Sequence, residues 1–590
     1  MKSLFLVTTA LEETWPENSP ILFLGEWCKI YSRKNKWQNL ETEVLPNHWD
    51  DRNKLYHDYL YLKEFHERLL SDLAVKLNEI HGVNHSKRYW RILIGPWLGY
   101  FSQMLFDRWV TIHQALDRYN LSETIIIKQP EEDMIPNGMV EFPHFFLSDE
   151  WNHYLYATIL EKTNRLKLRY ITVSDRFTEK FRISTKNSQK RNKKQFLLSI
   201  YNKIAGFCSF QTDAFFISSY LPLRKEIQLN FRFRQIPQIR RLVPVESSET
   251  DVHKRDWYLS GESKSEFESF VRSMIPRQIP KSYLEGYAKL VDKANSLPWP
   301  SSPKIIWTSN AHNADDVFKA WAADKTEKGC PLVIGQHGGH YGSGKWTFVE
   351  DHEVEISDRY LSWGWNDPKR SKVYPLGQIK GKRPLGIDHS AQKRTLLVSA
   401  ILPRYSYHMY SSVVAGQWLS YQQDLFHFVS ELPKFIQDTL IIRLHSEDYK
   451  WNQRLRWQEK FPNIELDEGF VSMDHLISQS RLYISTYNAT TFLESFTMNI
   501  PTIVFWNPEH WELRESAVPY FEELKRVGIF HDTPKSAALH AEKIWDHLDV
   551  WWNSEIVQLV RERFCRRYSH LTEDILDRLE IALKEVVASV

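Results

Sequence analysis

The sequence predicts an α/β protein built from parallel sheets, and two series of alternating strands and helices support this. Residues 304–335 contain a strand (KIIWTS), a helical stretch and a second strand (PLVIG). A strand–helix–strand unit of about 30 residues implies parallel strands. Residues 395–506 repeat the alternation several times. We therefore expect two doubly wound domains, which bind ligands at the carboxyl ends of their strands and in the cleft between them.

The predicted organisation has four parts. Residues 1–377 are expected to form one α/β domain with helical insertions, and the polar, Gly- and Pro-containing stretch 378–393 a linker. Residues 394–545 are expected to form the second α/β domain. The tail, 546–590, is expected to be helical because its last part has a clean amphipathic period.

Bulk composition favours a cytoplasmic protein without nucleic-acid partners. The chain has 590 residues, 42% of them hydrophobic, and a net charge of +2, so no global field attracts nucleic acid. The start, MKSLFLVTTALEETW, does not match a signal peptide, and no apolar run of about 18 residues predicts a membrane span. Basic stretches at 184–195 and 224–241 are expected to be solvated faces, and the alternative is contact with an anionic membrane surface or a lipid-linked acceptor.

Cysteine spacing and the absence of two nucleotide-binding motifs disfavour several kinds of functional site, whereas the tryptophans suit a sugar site. The four cysteines, Cys28, Cys208, Cys330 and Cys565, show no CxxC spacing, which disfavours structural zinc and fits a reducing compartment. The P-loop pattern and a GxGxxG that opens a βαβ unit are both absent. Tryptophan is abundant, with 23 residues, and its flat faces suit both cores and sugar rings. Trp15, Trp27 and Trp97 are candidates for sugar stacking.

The stretch CPLVIGQHGGHYGSG (330–344) brings two histidines to a strand end among glycines. Histidine moves protons near neutral pH, so His337 and His340 are candidate general bases. Gly338 and Gly339 allow a sugar or phosphate to approach the backbone closely. His312 follows the preceding strand and belongs to the same sheet edge. The alternatives are a turn whose histidines bond loop carbonyls, or a metal site formed by the three histidines, which no HxxxH spacing supports.

Two strand ends of the second domain predict a nucleotide site. His445 and Ser446 follow the strand IIRL directly. Further on, a strand runs into a helix through hydroxyl-rich residues, and a helix N-terminus with such residues binds anions. Glu494, in the first helical turn, could accept hydrogen bonds from a ribose diol. The residues expected to contact the nucleotide-sugar are His445, Ser446, Ser485, Thr486, Asn488, Thr490, Thr491 and Glu494; the alternative is ordinary capping of the helix.

The order of these motifs resembles a known group of enzymes. QHG at a strand end, DRYLSWG, YPLG, a linker, a strand ending in His, and STYNATTFLE are similar to the pattern of bacterial surface-polysaccharide transferases of the GT-B fold. That group includes capsule β-Kdo transferases and, more distantly, CDP-glycerol glycerophosphotransferases. The stretches TTALEETW, ILFLGEWC and WTSNAHNADDVFKAWAADKTEKGCPLVIGQHGGHYG resemble a family of O-antigen or surface-polysaccharide transferases across nearly the whole chain.

The resemblance implies a GT-B-like fold, with two Rossmann-like domains facing each other across a cleft. It implies that His445 and the Ser/Thr-to-Glu turn hold the nucleotide, and that His337 corresponds to the histidine of the QHG turn. Relatives often have His-Pro where this chain has His445-Ser446, and the extension to His340 is a departure from their pattern. Which histidine is the base stays open.

The predicted function is glycosyl transfer from a nucleotide-activated sugar to a surface-polysaccharide or lipid-linked acceptor. A CMP-linked acidic donor is favoured by resemblance. No metal and no cofactor are expected, because a helix N-terminus can neutralise the leaving phosphate. The acceptor side is expected to include Gln336, Gly338, Gly339, His312, Glu26 and Trp27. The alternatives are transfer of a glycerol- or ribitol-phosphate unit from a CDP donor and a non-catalytic assembly protein.

Overall fold

Three separate parallel sheets form the framework of the protein. The computed structural model describes residues 2–173, 201, 205, 209–381, 386 and 388–589. The basic segment 184–195, Cys208 and most of 382–387 in the expected linker lie outside the described residues.

The first sheet, called here the N-terminal sheet, has the strand order β3-β2-β1-β4-β5. Its strands are all parallel, and the order is that of a Rossmann-like fold. The strands are β1 (Leu4–Val7), β2 (Ile21–Phe23), β3 (Thr42–Val44), β4 (Leu121–Ile127) and β5 (Lys167–Ile171). The helices are α1 (Lys34–Trp37), α2 (Arg52–His81), α3 (Lys87–Arg118), α4 (Phe142–Phe146) and α5 (Asp149–Thr163).

The second sheet, the middle sheet, runs in the consecutive order β10-β9-β8-β7-β6 and is also parallel. Its strands are β6 (Phe215–Ile217), β7 (Ile306–Thr308), β8 (Leu332–Gly335), β9 (Arg359–Ser362) and β10 (Val373–Pro375). The helices are α6 (Leu223–Arg232), α7 (Val252–Arg255), α8 (Glu266–Gln278), α9 (Tyr287–Ser296), α10 (Ala311–Ala314), α11 (Asp316–Glu327) and α12 (Phe348–Ile356).

The third sheet, the C-terminal sheet, has the order β13-β12-β11-β14-β15-β16, and its order reverses between β11 and β14. Its strands are β11 (Arg394–Val398), β12 (Leu440–Arg443), β13 (Glu465–Asp467), β14 (Ser480–Ser485), β15 (Thr502–Phe505) and β16 (Phe530–His531). The helices are α13 (Gln417–Glu431), α14 (Lys434–Gln437), α15 (Gln453–Lys460), α16 (Met473–Ser478), α17 (Thr490–Thr497), α18 (Val518–Arg526), α19 (Pro534–Ile544), α20 (Leu548–Trp552), α21 (Glu555–Tyr568) and α22 (Ile575–Ala588).

The C-terminal helix returns to the middle sheet. Leu579 and Leu583 of α22 share a buried cluster with Trp307 of β7 and Val333 of β8. The apolar period of this helix therefore covers a sheet face that would otherwise meet water.

The predicted α/β class, the parallel sheets and the helical tail are confirmed. The segment 1–377, expected as one domain, holds two sheets. Its strand-like runs were visible in the sequence, because burial of β-branched and aromatic residues is a local signal. The order in which strands pair depends on contacts between distant parts of the chain. The consecutive order of the middle sheet and the reversing order of the C-terminal sheet therefore could not be read from local sequence.

Candidate active site

The turn after β8 is shaped by Gln336. Its side chain, 2% exposed, donates from Nε2 to the Gly338 carbonyl over 2.7 Å. Its Oε1 accepts from the Trp363 backbone N–H and from Trp365 Nε1, each over 2.8 Å. These three hydrogen bonds hold the Gln336 side chain in place, so it builds the turn. Its contact with an acceptor stays a prediction.

The two turns predicted from sequence touch each other. The Gly339 N–H donates to Thr490 Oγ1 over 3.1 Å. A Cβ at Gly339 would lie 2.5–2.6 Å from backbone atoms of Ala489 and Thr490, so only glycine fits here. Ser343 Oγ donates to Asn488 Oδ1 over 3.3 Å. The carboxyl ends of the middle sheet and the C-terminal sheet therefore face each other directly.

A buried glutamate stands behind His337. Nδ1 of His337 lies 3.2 Å from Glu353 Oε1, and the side chains are 20% and 0% exposed respectively. Tyr341 OH lies 3.3 Å from His337 Nε2 and also donates to Glu353 Oε1 over 3.3 Å. Burial lowers the pKa of His337, and the Glu353 carboxylate works against that change. Among the described residues the His337 Nδ1–Glu353 Oε1 contact lies within ion-pair distance but outside hydrogen-bond geometry. A neutral imidazole beside a carboxylate suits a general base.

Glu353 was not found from the sequence. It lies on α12 among EDHEVE, where no pattern separates a buried carboxylate from exposed ones. His312, 1% exposed, places Nε2 3.2 Å from the same Oε1. Burial raises the pKa of Glu353 to about 7 and lowers the pKa of His312 to about 3. His312 therefore supports the cluster from the protein side rather than contacting an acceptor.

His340 has a different environment from His337. Burial, followed by the neighbouring His337, lowers its pKa to about 3. Its ring lies 4.4 Å from that of Tyr341 and 5.4 Å from that of Tyr410, and its Nε2 is buried without a hydrogen-bond partner in the described part of the chain. No carboxylate holds His340 among the described residues, so His337 is the better candidate for the base.

The hydroxyl-rich turn lies where the strand order of the C-terminal sheet reverses. Ligands of open α/β sheets bind at such a switch point. Thr486 Oγ1 donates to the Val398 carbonyl over 2.9 Å and lies 2.5 Å from Tyr421 OH, which ties the ends of β11 and β14 together. Ser485 Oγ and Asn488 Nδ2 are buried and have no hydrogen-bond partner among the residues that the structure describes. Buried polar atoms of this kind call for an explanation, and a bound ligand is one.

The other predicted donor residues are less closely gathered. His445 and Ser446 are exposed in the loop after β12, where His445 Nδ1 accepts from the Glu447 backbone N–H over 3.0 Å. No hydrogen bond joins either to the 485–494 turn in the described part of the chain. Thr491 and Glu494 are partly exposed at the end of the 485–494 segment, where α17 begins. Their contact with a nucleotide stays a prediction.

The tryptophans predicted to stack on sugars are mostly core residues. Trp27 is 3% exposed and donates from Nε1 to the Thr8 carbonyl over 3.0 Å, filling the switch point of the N-terminal sheet. Trp97 is fully buried in α3, and Trp15 packs on Phe23 with ring centroids 5.1 Å apart. The stacking role is wrong for Trp27 and Trp97 because neither presents a ring face to solvent.

Glu26 does lie between two parts of the molecule. It forms an ion pair with Lys29 over 3.0 Å. Its Cβ would meet a Cβ built on Gly416, just before α13, at 3.2 Å. It therefore borders the contact between the N-terminal sheet and the C-terminal sheet, away from the turn at 336–344.

Aromatic rings from the loop after β11 lie beside His340 instead, in a series that ends with Tyr407 stacked on Phe146 at 5.3 Å between ring centroids. Tyr407, His408 and Tyr410 are partly exposed, and His408 stacks on Tyr410 with centroids 4.7 Å apart. Tyr410 is also the ring beside His340. The run YSYHMY in the sequence was a usable signal, since aromatic faces next to a candidate base suit a sugar acceptor.

A partly enclosed cavity of about 160 Å³ lies between α2, α3 and α12. His66, Arg91, Gln103, His352 and Arg370 are among its lining residues. It contains neither His337 nor the 485–494 turn, so it lies behind the helix that carries Glu353 and is not the site described above.

No group of three or more His, Cys, Asp or Glu side chains in the described residues is placed to hold a metal ion. Independence from metal and from cofactors stays a prediction. Among the same residues, no helix has the length and apolar character needed to cross a membrane.

Comparison with known proteins identifies the family. A family model described as LIC12162 family transferase matches residues 4–583. The chain belongs to this family of transferases. It is therefore an enzyme, and the non-catalytic alternative is set aside. No curated protein matches the chain.

Several solved structures show a distant likeness to this LIC12162 family member. MurG of Acinetobacter baumannii aligns with a TM-score of 0.34 and 11% identity, over 63% of this chain and 99% of MurG. The wall teichoic acid polymerase TagF aligns at 0.30 and 10%, over 51% and 85%. WaaG, a glycosyltransferase involved in lipopolysaccharide biosynthesis, aligns at 0.28 and 10%, over 63% and 99%. Likeness at this level does not carry an argument about chemistry.

Proposed function

We propose that this transferase is a GT-B-type glycosyltransferase whose reaction takes place between the turn at 336–344 and the turn at 485–494. The observation that supports the proposal is the hydrogen bond from Gly339 to Thr490, which joins the turn of His337 in one sheet to the hydroxyl-rich turn of another. Open parallel sheets bind ligands beyond the carboxyl ends of their strands, so two such sheets with facing strand ends offer sites for a donor and an acceptor next to each other.

In the proposed reaction an acceptor hydroxyl attacks the anomeric carbon of the donor sugar. A C–O bond to the acceptor forms, the bond from the anomeric carbon to the phosphate oxygen breaks, and the nucleotide leaves with that electron pair. His337 accepts the hydroxyl proton, and Glu353, 3.2 Å from its Nδ1, stabilises the imidazolium that results.

The donor is proposed to be a nucleotide-sugar bound by the C-terminal sheet. The unpartnered Ser485 Oγ and Asn488 Nδ2 offer hydrogen bonds at the switch point, and the N-terminus of α17 offers backbone N–H groups to a phosphate. A CMP-linked acidic sugar is the donor that the family resemblance favours. The acceptor is proposed to be a surface-polysaccharide or lipid-linked glycan that lies on Tyr407 and Tyr410.

Contact with the inner face of the cytoplasmic membrane fits such an acceptor. Exposed apolar and basic side chains alternate over residues 223–242, on and after α6. A lipid-linked acceptor lies at that surface, and a transferase bound there meets it by diffusion in two dimensions.

The test combines nucleotide binding with a variant of the base. Calorimetric titration with CMP, CDP, UDP and GDP should show one preferred nucleotide, and donor turnover by His337→Ala should fall by about 10²- to 10⁴-fold. Binding of the nucleotide should be unchanged, because His337 acts on the acceptor proton.

His427→Ala is the matched control, since His427 lies exposed on α13 and should keep full activity. Equal activity of wild type and His337→Ala would sink the proposal. Phosphate in the product linkage would instead select the alternative, transfer of a glycerol- or ribitol-phosphate unit from a CDP donor.

A further inference from the structure

Lys380 brings a cation into the proposed cleft. It follows β10 and is partly exposed, and its Nζ lies 3.4 Å from the ring centroid of Tyr220. Burial lowers the pKa of Lys380, and the negative charge of Glu494, on the C-terminal sheet side, opposes that change. The ammonium also acts on His337, whose pKa it helps to lower. Lys380 follows β10 and its ring partner Tyr220 follows β6, so the ammonium lies at the same carboxyl edge of the middle sheet as His337, which follows β8.

The ring beneath Lys380 is held by unusual backbone. Ser218 and Tyr220, directly after β6, have φ angles of 47° and 61°, the left-handed region that bulky residues avoid. Ser309 fixes this turn, since its N–H donates to the Ser218 carbonyl over 3.1 Å and its Oγ to the Ser219 carbonyl over 3.3 Å. Backbone strain of this kind persists where the surrounding structure enforces it and is concentrated at functional sites.

We propose that Lys380, supported by the face of Tyr220, binds an anionic group of the donor beside His337. The group is a phosphate or a sugar carboxylate, which share the anionic oxygens that an ammonium recognises. An anion there would offset the cost of holding the ammonium half-buried in the cleft. The inference rests on the proposed function and adds the residue that reads the charge of the donor.

The competing explanation is a purely structural contact with Glu494 that holds the two sheets together. The two explanations differ in what a neutral side chain changes. A structural contact affects the melting temperature, whereas an anion site affects the affinity for charged probes and leaves the affinity for uncharged ones as it was.

The experiment compares wild type with Lys380→Met, Lys380→Arg and the control Lys369→Met, an exposed lysine on the loop before β10. Cytidine, CMP and CMP-N-acetylneuraminate are titrated calorimetrically into each protein. If the phosphate is recognised, Lys380→Met should bind CMP about 10- to 100-fold more weakly and cytidine unchanged. If the carboxylate is recognised, only CMP-N-acetylneuraminate should lose that factor. Lys380→Arg should retain most of the affinity.

Protection of Lys380 from amine labelling, followed by mass spectrometry, gives a second readout. CMP-N-acetylneuraminate and inorganic pyrophosphate should both slow labelling of Lys380 and leave Lys369 unaffected. Unchanged affinity for every probe in Lys380→Met, with a lowered melting temperature or not, would overturn the inference. A wild-type chain that binds no nucleotide, yet whose Lys380 is protected by pyrophosphate, would refute the proposed donor and retain the anion site.

Discussion

Glu353 illustrates how one buried side chain decides the chemistry of its neighbours. It has no exposure to solvent, yet its Oε1 lies 3.2 Å from nitrogens of both His312 and His337. A carboxylate in such a place costs several kcal/mol unless partners compensate it. The compensation comes from two imidazoles and Tyr341, so the cluster works as a unit and removal of one member changes the others.

Glu353→Gln should slow the reaction and move its pH dependence to lower pH. The ionised carboxylate opposes the effect of burial on the pKa of His337, and it is itself protonated as pH falls through about 7. In wild type the two groups titrate together, whereas a neutral amide leaves His337 alone with a lower pKa. His337 accepts a proton only when neutral. Activity is therefore present above its pKa and lost as pH falls through it, and in the variant this loss occurs at lower pH. We expect kcat to fall about tenfold or more, because a less basic and less well-held imidazole takes the proton less readily.

The measurement is kcat/KM against pH for wild type, Glu353→Gln and Glu355→Gln. Glu355 lies on the exposed side of the same helix and should give the wild-type profile. An acid limb that stays in place or moves to higher pH in Glu353→Gln would show that the carboxylate does not act through His337.

At the scale of elements, α12 is positioned by a groove in α3. Gly95 and Gly99 lie one turn apart on α3, which is buried along most of its length. A Cβ at Gly99 would lie 1.8 Å from Phe348 Cζ, and one at Gly95 would lie 2.7 Å from His352 Cε1. The missing side chains let α12 approach closely, and this sets the depth at which Glu353 enters the site.

Gly99→Leu should push α12 away and destabilise the protein. Overpacking of a filled core costs about 1–3 kcal/mol, and transferase activity should fall with it because Glu353 moves. Urea unfolding and turnover are measured beside Arg118→Leu, an exposed position at the end of α3. Phe348→Ala added to Gly99→Leu should restore part of the stability by making room. A midpoint for Gly99→Leu equal to that of wild type would contradict the groove.

The sequence predicted the secondary-structure elements and the two turns better than it predicted which side chains contact those turns. QHGGHYG and STYNATT were recognisable because glycine, histidine and hydroxyl residues at strand ends carry local meaning. Glu353 and Lys380 carry none, because their roles depend on a helix and a loop that meet the turn only in three dimensions. Trp27 misled for the same reason, since its ring packs beside Tyr156 and Tyr405, both of which are distant in sequence.

At the scale of the whole molecule, the N-terminal sheet region binds the C-terminal region through the loop after β11. Arg404 donates from Nη2 to both carboxylate oxygens of Asp149 over 2.9 and 2.7 Å, and the side chains are 2% and 3% exposed. Arg108 donates from Nη2 to the Ser406 carbonyl over 2.9 Å. Since α3 also packs on α11 and α12 of the middle sheet, the first 171 residues connect both walls of the cleft. A buried ion pair such as Arg404–Asp149 contributes more to the relative placement of the two regions than to the free energy of unfolding.

The surface that we propose for membrane contact is formed by α6 and the residues that follow it. Leu223, Phe231, Ile236 and Leu242 are 39–63% exposed there. Arg224, Arg234 and Arg241 are exposed among them. Apolar side chains enter the headgroup region while each arginine near an anionic surface contributes about 1 kcal/mol, so the patch fits a bilayer with anionic lipid.

Binding to vesicles should therefore require both kinds of side chain. Wild-type protein should sediment with phosphatidylcholine vesicles that contain phosphatidylglycerol, and less so at raised salt, because ions screen exposed charges. The double variant Phe231→Ser with Leu242→Ser should lose most of this binding, and Arg234→Glu with Arg241→Glu should lose the part that depends on anionic lipid. Phe470→Ser, at a residue 88% exposed on the C-terminal sheet region, is the matched control and should bind as wild type. Equal sedimentation of all four proteins would place any membrane contact elsewhere, because only these substitutions change the charge and the apolar area of this one surface.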